Sequence, residues 1–368
     1  MTDKSVSAEM DLSHSDYSLQ LNRWFLKPIG AWPASPSTSR RERIVSILLN
    51  VVCYSSMLST AILSLLYLLL EHDSFYMKLK MTAPVSHWFF SSWNYTTLLR
   101  RSKEIRYWMD HMEADWRTVT RDEDRKVMLK NAQFGRYVAT FCAAFMQSGI
   151  LGFCFVTALN TEEVRVGNET RIVHALPCLV YKKLVNVDES PTNEIVLFMQ
   201  VFSVFIANSS TVGTYSLAAV SAAHACGQLN VVMLWITEFV NESRNREKSI
   251  AFKEIGMIVE HHLRTLNFVS CMEADWADHD VRTLTTYFLI FTSISFNIFC
   301  KKIGDVVYMS NWYYLPDKMV LDLILIIVRS SVVVNITAGK FVRMSVDTFG
   351  HVMKTSFAYL NVLREMTR

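Results

Sequence analysis

Long apolar runs without a formal charge recur along this chain, separated by polar segments. Residues 44–70 supply 27 such positions, and residues 81–99 supply 19, with Pro84 and His87 among them. Residues 137–160 add 24, residues 195–237 add 43, and residues 283–300 add 18. A helix needs about 20 apolar residues to cross the hydrocarbon core of a bilayer, so five spans are predicted. A sixth, more polar one closes the chain: residues 320–363 are apolar overall yet carry Asp322, Arg329, Lys340, Arg343, Asp347, His351 and Lys354. Backbone groups in lipid must be hydrogen-bonded internally, and the pattern lacks the short alternating segments of a β-barrel. The predicted fold class is all-α: a polytopic membrane helical bundle with about six spans.

The distribution of Lys and Arg gives this bundle a direction. Lys4, Arg23, Lys27, Arg40, Arg41 and Arg43 precede the first span, and residues 100–136 hold ten Lys or Arg against seven acids. Both segments are predicted to be cytoplasmic, so the amino terminus is inside. With no secretory leader in the polar first 43 residues, the first span is expected to act as its own insertion signal. The segment 161–194 is then external, and it carries Asn168-Glu169-Thr170, a glycosylation acceptor at Asn168.

Composition agrees with a membrane protein: 51% of the 368 residues are hydrophobic and only 19% are charged. A net charge of +3, with no basic block interleaved with aromatics, argues against a nucleic-acid partner. Seven cysteines at irregular spacing contain no CxxC pair, so no metal site and no disulfide framework is expected.

Candidate chemistry is sparse. Gly339-Lys340 fails the phosphate-loop pattern, since position 334 is Val and position 341 is Phe. His224 and Cys226, two positions apart on a helix, point to different sides and make poor catalytic partners. His261-His262 lies among Glu254, Glu260 and Arg264 and reads as a solvated helix face. The pentapeptide MEADW occurs at 112–116 and again at 272–276, but its surroundings do not match and no repeat architecture follows. No hydrolase or metalloprotease motif is present, so no catalytic residues, metal or cofactor are assigned, and the protein is not expected to be an enzyme.

Two sets of residues are candidates for binding or conduction. Over 345–363, Asp347, His351 and Lys354 follow an i, i+4, i+7 stripe, beside a mildly polar face of Thr348, Val352, Thr355, Ser356 and Tyr359. Ionisable groups in membrane helices face protein or a water-filled cavity, so this helix either packs within the bundle or lines a pore. Gly339 before it would let the backbone change direction. His87, Trp88, Phe141, Phe145 and Tyr215 are aromatics within spans that suit an apolar pocket for a small volatile organic ligand.

Four stretches resemble the insect odorant receptors of the ant and bee type. They are YSLQLNRWFLKPIGAWP at 17–33, SLAAVSAAHACGQLNVV at 216–232, KKIGDVVYMSNWYYLP at 301–316, and ITAGKFVRMSVDTFGHVMKTSFAYLNVLR at 336–364. The resemblance covers most of the chain, and the last block is its most specific signature. It implies a seven-helix receptor with a cytoplasmic amino terminus, in the plasma membrane of olfactory sensory neurons. Such a chain forms an odorant-gated cation channel with the odorant receptor co-receptor. The odorant would bind among helices two, three, four and six, and the final helix would line the pore.

The implied organisation is a cytoplasmic segment 1–43 and four membrane helices within 44–237, with a cytoplasmic loop at 100–136 and an external loop at 161–194. A shortened cytoplasmic anchor region follows at 238–282, then a shortened sixth helix at 283–300. A loop and short helix at 301–334, the helix at 317–331 contacting neighbouring subunits, lead to the pore helix at 335–368. A metabotropic seven-helix chemoreceptor would need an external amino terminus, against the charge of Arg40 to Arg43. A transporter would be expected to show repeated halves.

The chain departs from the family between residues 250 and 301. The apolar material at 250–272 contains Lys253, Glu254, Glu260 and Arg264, too polar for a bilayer-centred helix. Four spans return the chain to the cytoplasm, and a fifth at 283–300 would then put Lys301-Lys302 outside, against the positive-inside rule. A chain lacking the family's fifth helix and part of its sixth is therefore expected, with a non-functional truncated isoform as one outcome.

Overall fold

The computed structural model describes residues 16–72, 74–166, 169–242, 248–277, 284–332, 337–338, 342–343 and 346–366. Its elements in chain order begin with helix α1 over residues 16–26. Then come α2 (Arg40–Leu70), α3 (Phe75–Arg100), α4 (Ser102–Thr118), α5 (Asp122–Leu159), the hairpin β1 (Thr161–Val166) and β2 (Glu169–His174), and α6 (Thr192–Glu242). The remainder is α7 (Lys248–Ala277), α8 (Leu284–Met309), α9 (Asp317–Ser331), β3 (Thr337–Ala338), β4 (Val342–Arg343) and α10 (Val346–Met366).

Helix is the dominant structure, as the sequence pattern requires, and among the described residues α2, α5 and α6 are long and apolar enough to cross a membrane. The second expected span is helical, but α3 carries Lys78, Lys80, Pro84 and His87 and does not join these three. The helices also run past the apolar stretches. Helix α2 starts at Arg40 because Ser39 and Glu42 form a capping box: the Ser39 hydroxyl accepts from the Glu42 N–H, and the Glu42 carboxylate accepts from the Ser39 N–H. Helix α6 is 51 residues long, about 77 Å at 1.5 Å per residue, and so outruns any single bilayer crossing.

The chain divides into two compact units. The α2–α3 unit comprises Gln20–Arg106 and Ala139–Ser216. In it α2 pairs with α3, and the segment following α1 is tied down at Gly30, which has φ +71°. Its core gathers Trp88, Cys154, Cys178 and Val204. Several buried polar side chains of α6 find partners on other helices. Trp88 Nε1 donates to Ser203 Oγ at 2.7 Å, Asn94 Nδ2 to Thr214 Oγ1 at 3.2 Å, Gln147 Nε2 to Ser209 Oγ at 3.1 Å, and Asn208 Nδ2 to Gln147 Oε1 at 2.7 Å. Such bonds hold apolar helices together where no water competes. The β1–β2 hairpin, from Thr161↔His174 to Val166↔Glu169, lies where the sequence pattern implied only a loop. The Asn193 side chain clasps its end, accepting from the His174 N–H and donating to the His174 carbonyl. Asn168, the expected glycosylation site, lies outside the described residues.

The α7–α10 unit comprises Met1–Leu19, Tyr107–Val138 and Leu217–Arg368. One core cluster joins Trp116, Val119, Met128, Ala132 and Val231. The short helix expected at 317–331 is α9; it packs on α8 and on α7, and Met319, Leu323, Ile326 and Ser330 are its buried residues. Residues 301–309, expected as the start of a loop, instead continue α8. Gly304 lets that contact close: a Cβ there would stand 2.8 Å from Ser330 Oγ. Ahead of α10, Thr337 pairs with Arg343 and Ala338 with Val342. The break expected at Gly339 lies outside the described residues.

Candidate functional site

All five aromatic candidates for ligand contact fall in the α2–α3 unit, on three helices. His87 and Trp88 sit side by side on α3, with ring centroids 6.1 Å apart in an edge-on arrangement. Trp88 is buried in the cluster with Cys154, Cys178 and Val204, and its indole N–H is committed to Ser203. His87 is different: its Nε2 is buried and has no hydrogen-bond partner among the described residues. A buried ring nitrogen without a partner forfeits the free energy of its lost hydration, so it is a group that a polar ligand atom would satisfy. Tyr215 on α6 is also buried.

Phe141 and Phe145 are placed otherwise. They stack on each other at 6.4 Å on an exposed face of α5. The opposite face carries Ala139, Ala143 and Cys154, all buried. Small residues spaced by about one turn let membrane helices approach closely, which leaves the large rings outside.

The candidate pore face lies on α10. Thr355, Ser356 and Tyr359 are exposed, and Thr355 Oγ1 donates back to the His351 carbonyl at 2.8 Å. Thr348 and Val352 belong to the same helix, and their side chains lie outside the described residues.

One arrangement escaped the sequence pattern. In the α7–α10 unit, Asp115 of α4 is 4% exposed and serves as the hub of a charged cluster. His224 Nε2 of α6 lies 2.9 Å from its Oδ2, and Arg264 of α7 pairs with its Oδ1. His111, one turn earlier on α4, stacks on Phe268 at 5.0 Å and faces the same carboxylate at 3.8 Å. The cluster extends through Gln228, whose Oε1 is 2.7 Å from His261 Nε2. Burial alone would raise the Asp115 pKa, but the hydrogen bond and charge of His224, with Arg264 and His111, hold it below the usual carboxylate range. The arrangement also gives the first MEADW a purpose: Met112, Asp115 and Trp116 are all buried.

The same helices overturn the reading of His261-His262 as a solvated face. His262 is 1% exposed, and its Nε2 has no partner among the described residues. It lies on the buried stripe Ala251, Ile255, Ile258, His262, Thr265, Val269, whose three- and four-residue steps were legible in the sequence. The nearby charges of Glu254, Glu260 and Arg264 hid it.

Burial, then the charges of Arg329 and His261, push the His262 pKa down to about 4. Its folded value is below the unfolded value of about 6.5, so its contribution is intact above pH 6.5 and is lost as pH falls toward 4. Burial lowers His111 and His261 in the same direction. Asp115, with its value depressed, adds a further loss only at lower pH. Thermal stability should therefore decline by on the order of 2–3 kcal/mol between pH 6.5 and 4. His262→Leu should flatten much of that decline, and an unchanged slope in melting temperature against pH would refute the assignment.

No protein-family model and no curated protein sequence matches this chain. Solved structures do. The insect olfactory receptor OR5 from Machilis hrabei in complex with eugenol superposes with a TM-score of 0.69 at 12% sequence identity, over 95% of this chain and 100% of that one. A second solved structure of the insect olfactory receptor OR5 from Machilis hrabei gives a TM-score of 0.66 at 12% identity, over 95% and 99% of the two chains. Over 95% of its length, this chain has the insect olfactory receptor fold.

Proposed function

We propose that this chain is an odorant receptor, the ligand-selective subunit of an odorant-gated cation channel formed with the odorant receptor co-receptor. It would work as a multi-pass protein in the plasma membrane of olfactory sensory neurons, with its amino terminus cytoplasmic. The observation that carries this reading is the agreement, over 95% of the chain, with an insect olfactory receptor solved in complex with eugenol. The four sequence blocks that resemble the family support it independently.

The ligand is a small volatile organic molecule held in the α2–α3 unit. Trp88 supplies apolar wall, because its N–H is already bonded, and His87 Nε2 supplies the polar contact. Tyr215 is a buried member of the same set, whereas Phe141 and Phe145 would meet a ligand only at the exposed face of α5. Binding would gate the channel by favouring the open state over the closed one. In the assembled channel α10 would line the pore through Thr348, Val352, Thr355, Ser356 and Tyr359.

The test is odorant-evoked current in cells expressing this chain with the co-receptor, scored against the co-receptor alone over a broad odorant panel. A new odorant-dependent cation current is expected. His87→Leu should then raise the half-maximal concentration about tenfold for odorants carrying a hydrogen-bonding oxygen, the loss of one hydrogen bond, and should leave pure hydrocarbons nearly unaffected. No current above the co-receptor alone would sink the reading.

A second reading, a truncated isoform that does not conduct, is favoured by the parity of Lys301-Lys302. It predicts silence from this chain together with responses from a version carrying an additional apolar helix after Ser270.

A further inference from the structure

A groove of about 650 Å³ opens within the α7–α10 unit, walled by α5, α6 and α8. That volume lies in the range of pockets that hold one small ligand. None of the aromatic candidates for odorant contact lines it. Its floor is the close contact of α5 with α6: a Cβ on Gly135 would stand 2.5 Å from the Ala223 Cβ. Phe134 of α5 and Ile298 and Phe299 of α8 supply apolar wall.

The groove also has a polar part. Lys130 of α5 and Lys302 of α8 both line it, are exposed, and have no ion-pair partner among the described residues. Asn131 and Asn230 line it too, with Asn230 Nδ2 donating to Asn131 Oδ1 at 3.2 Å. Two unpaired ammonium groups from different helices serve no purpose for a neutral volatile molecule. Together with an aliphatic and aromatic wall, they match an amphiphile whose head is an anion and whose tail is a hydrocarbon chain.

We propose that the groove is a binding site for an anionic phospholipid, with the lipid phosphate near Lys130 and Lys302 and one acyl chain along Phe134, Ile298 and Phe299. Charge complementarity selects the headgroup, and the Lys- and Arg-rich segment 100–136 that holds Lys130 selects the cytoplasmic leaflet, where anionic lipids concentrate; Lys302, which the span count alone would put outside, lines the same groove as Lys130. This inference rests on the reading of the chain as a membrane protein and is independent of which odorant, if any, it detects. A lipid lodged between α5, α6 and α8 would make their packing depend on leaflet composition.

The experiment is native mass spectrometry of the purified full-length chain in detergent, titrated with palmitoyl-oleoyl phosphatidylserine, with the matching phosphatidylcholine, and with inorganic phosphate. Phosphatidylserine should remain bound at least tenfold more strongly than phosphatidylcholine. Each lysine near an anionic lipid is worth roughly fivefold, so Lys130→Gln with Lys302→Gln should erase a preference of about twenty-five-fold or less. Both side chains are exposed, so the substitutions should leave the fold intact. Ala222→Trp, which keeps both lysines but fills the groove, should also expel the lipid. Equal retention of the two lipids overturns the proposal, as does retention unaffected by either variant. Displacement of phosphatidylserine by inorganic phosphate alone would mean a headgroup site without a chain, which also overturns it. Loss of lipid whenever the co-receptor is bound would assign the groove to a partner helix instead. None of these results depends on an odorant current.

Discussion

Asp115→Ala should destabilise the protein by about 3 kcal/mol, visible as a fall of several degrees in the melting temperature of the detergent-solubilised chain. The carboxylate is buried and faces His224, Arg264 and His111 at once. Its removal leaves His224 without its partner in the interior and Arg264 without its counter-charge. The expected value sits at the low end for a broken buried ion pair because the Arg264 side chain is 38% exposed and retains some hydration. Asp115→Asn keeps the shape and one acceptor, so it should cost less than Ala. Equal melting temperatures for wild type and Asp115→Ala would show that the cluster contributes nothing to holding α4, α6 and α7 together.

Gly30→Val should cost at least about 3 kcal/mol, by a different mechanism. Gly30 adopts φ +71°, a conformation that a β-branched residue resists. A Cβ there would also stand 2.7 Å from the Ser46 carbonyl, a backbone atom that cannot rotate away, and 2.3 Å from the end of the Asn50 side chain. The position is the pivot of a local lock. Ser46 Oγ donates to the Gly30 carbonyl at 2.8 Å, and Tyr95 Oη donates to the Ile29 carbonyl at 2.6 Å. With its amide nitrogen turned toward these acceptors, Asn50 donates to the Gly30 carbonyl at 3.0 Å and to Tyr95 Oη at 2.9 Å. Hydrogen exchange should rise at residues 27–33 and 46–50 in Gly30→Val, with Gly30→Ala milder in the same direction. Protection unchanged from wild type would remove the lock from the account of how the segment after α1 is held.

Gly30 illustrates how local and tertiary information divide. The sequence shows a glycine between two prolines, Pro28 and Pro33, and hence a turn. It does not show that Asn50 and Tyr95, from two different helices, converge on that turn. The aromatic candidates divide in the same way. Trp88 and Phe141 look alike in a hydrophobicity profile, yet one is a buried wall with a committed N–H and the other is an exposed ring.

The charged cluster was the least legible feature. Asp115, His224 and Arg264 come from segments about 40 to 150 residues apart; Asp115 and Arg264 sit among other charged residues, whereas His224 lies inside a long uncharged run. A helix face rich in charge is usually solvated, and only the packing of α4, α6 and α7 turns these residues inward. The β1–β2 hairpin was closer to hand, since Val164 and Val166 alternate with polar residues on one side of Gly167-Asn168 and Thr170 and Ile172 do so on the other. Its residues are too polar to stand out beside the spans.

The resemblance to a family implied the helix at 317–331, and the sequence by itself determined that the chain is helical and where its apolar segments lie. These follow from local rules: the length of an apolar run, the period of a helix, and the cost of leaving backbone groups unbonded in lipid. The tertiary structure decided which face of each helix is buried, that Asp115 is a hub and His262 an interior residue, that His87 Nε2 is left without a partner, and that α5, α6 and α8 enclose a groove between two lysines. The reason is physical. A helix's existence depends on residues within a few turns, whereas burial and ion pairing depend on which distant helix arrives beside it, and no local pattern encodes that arrival.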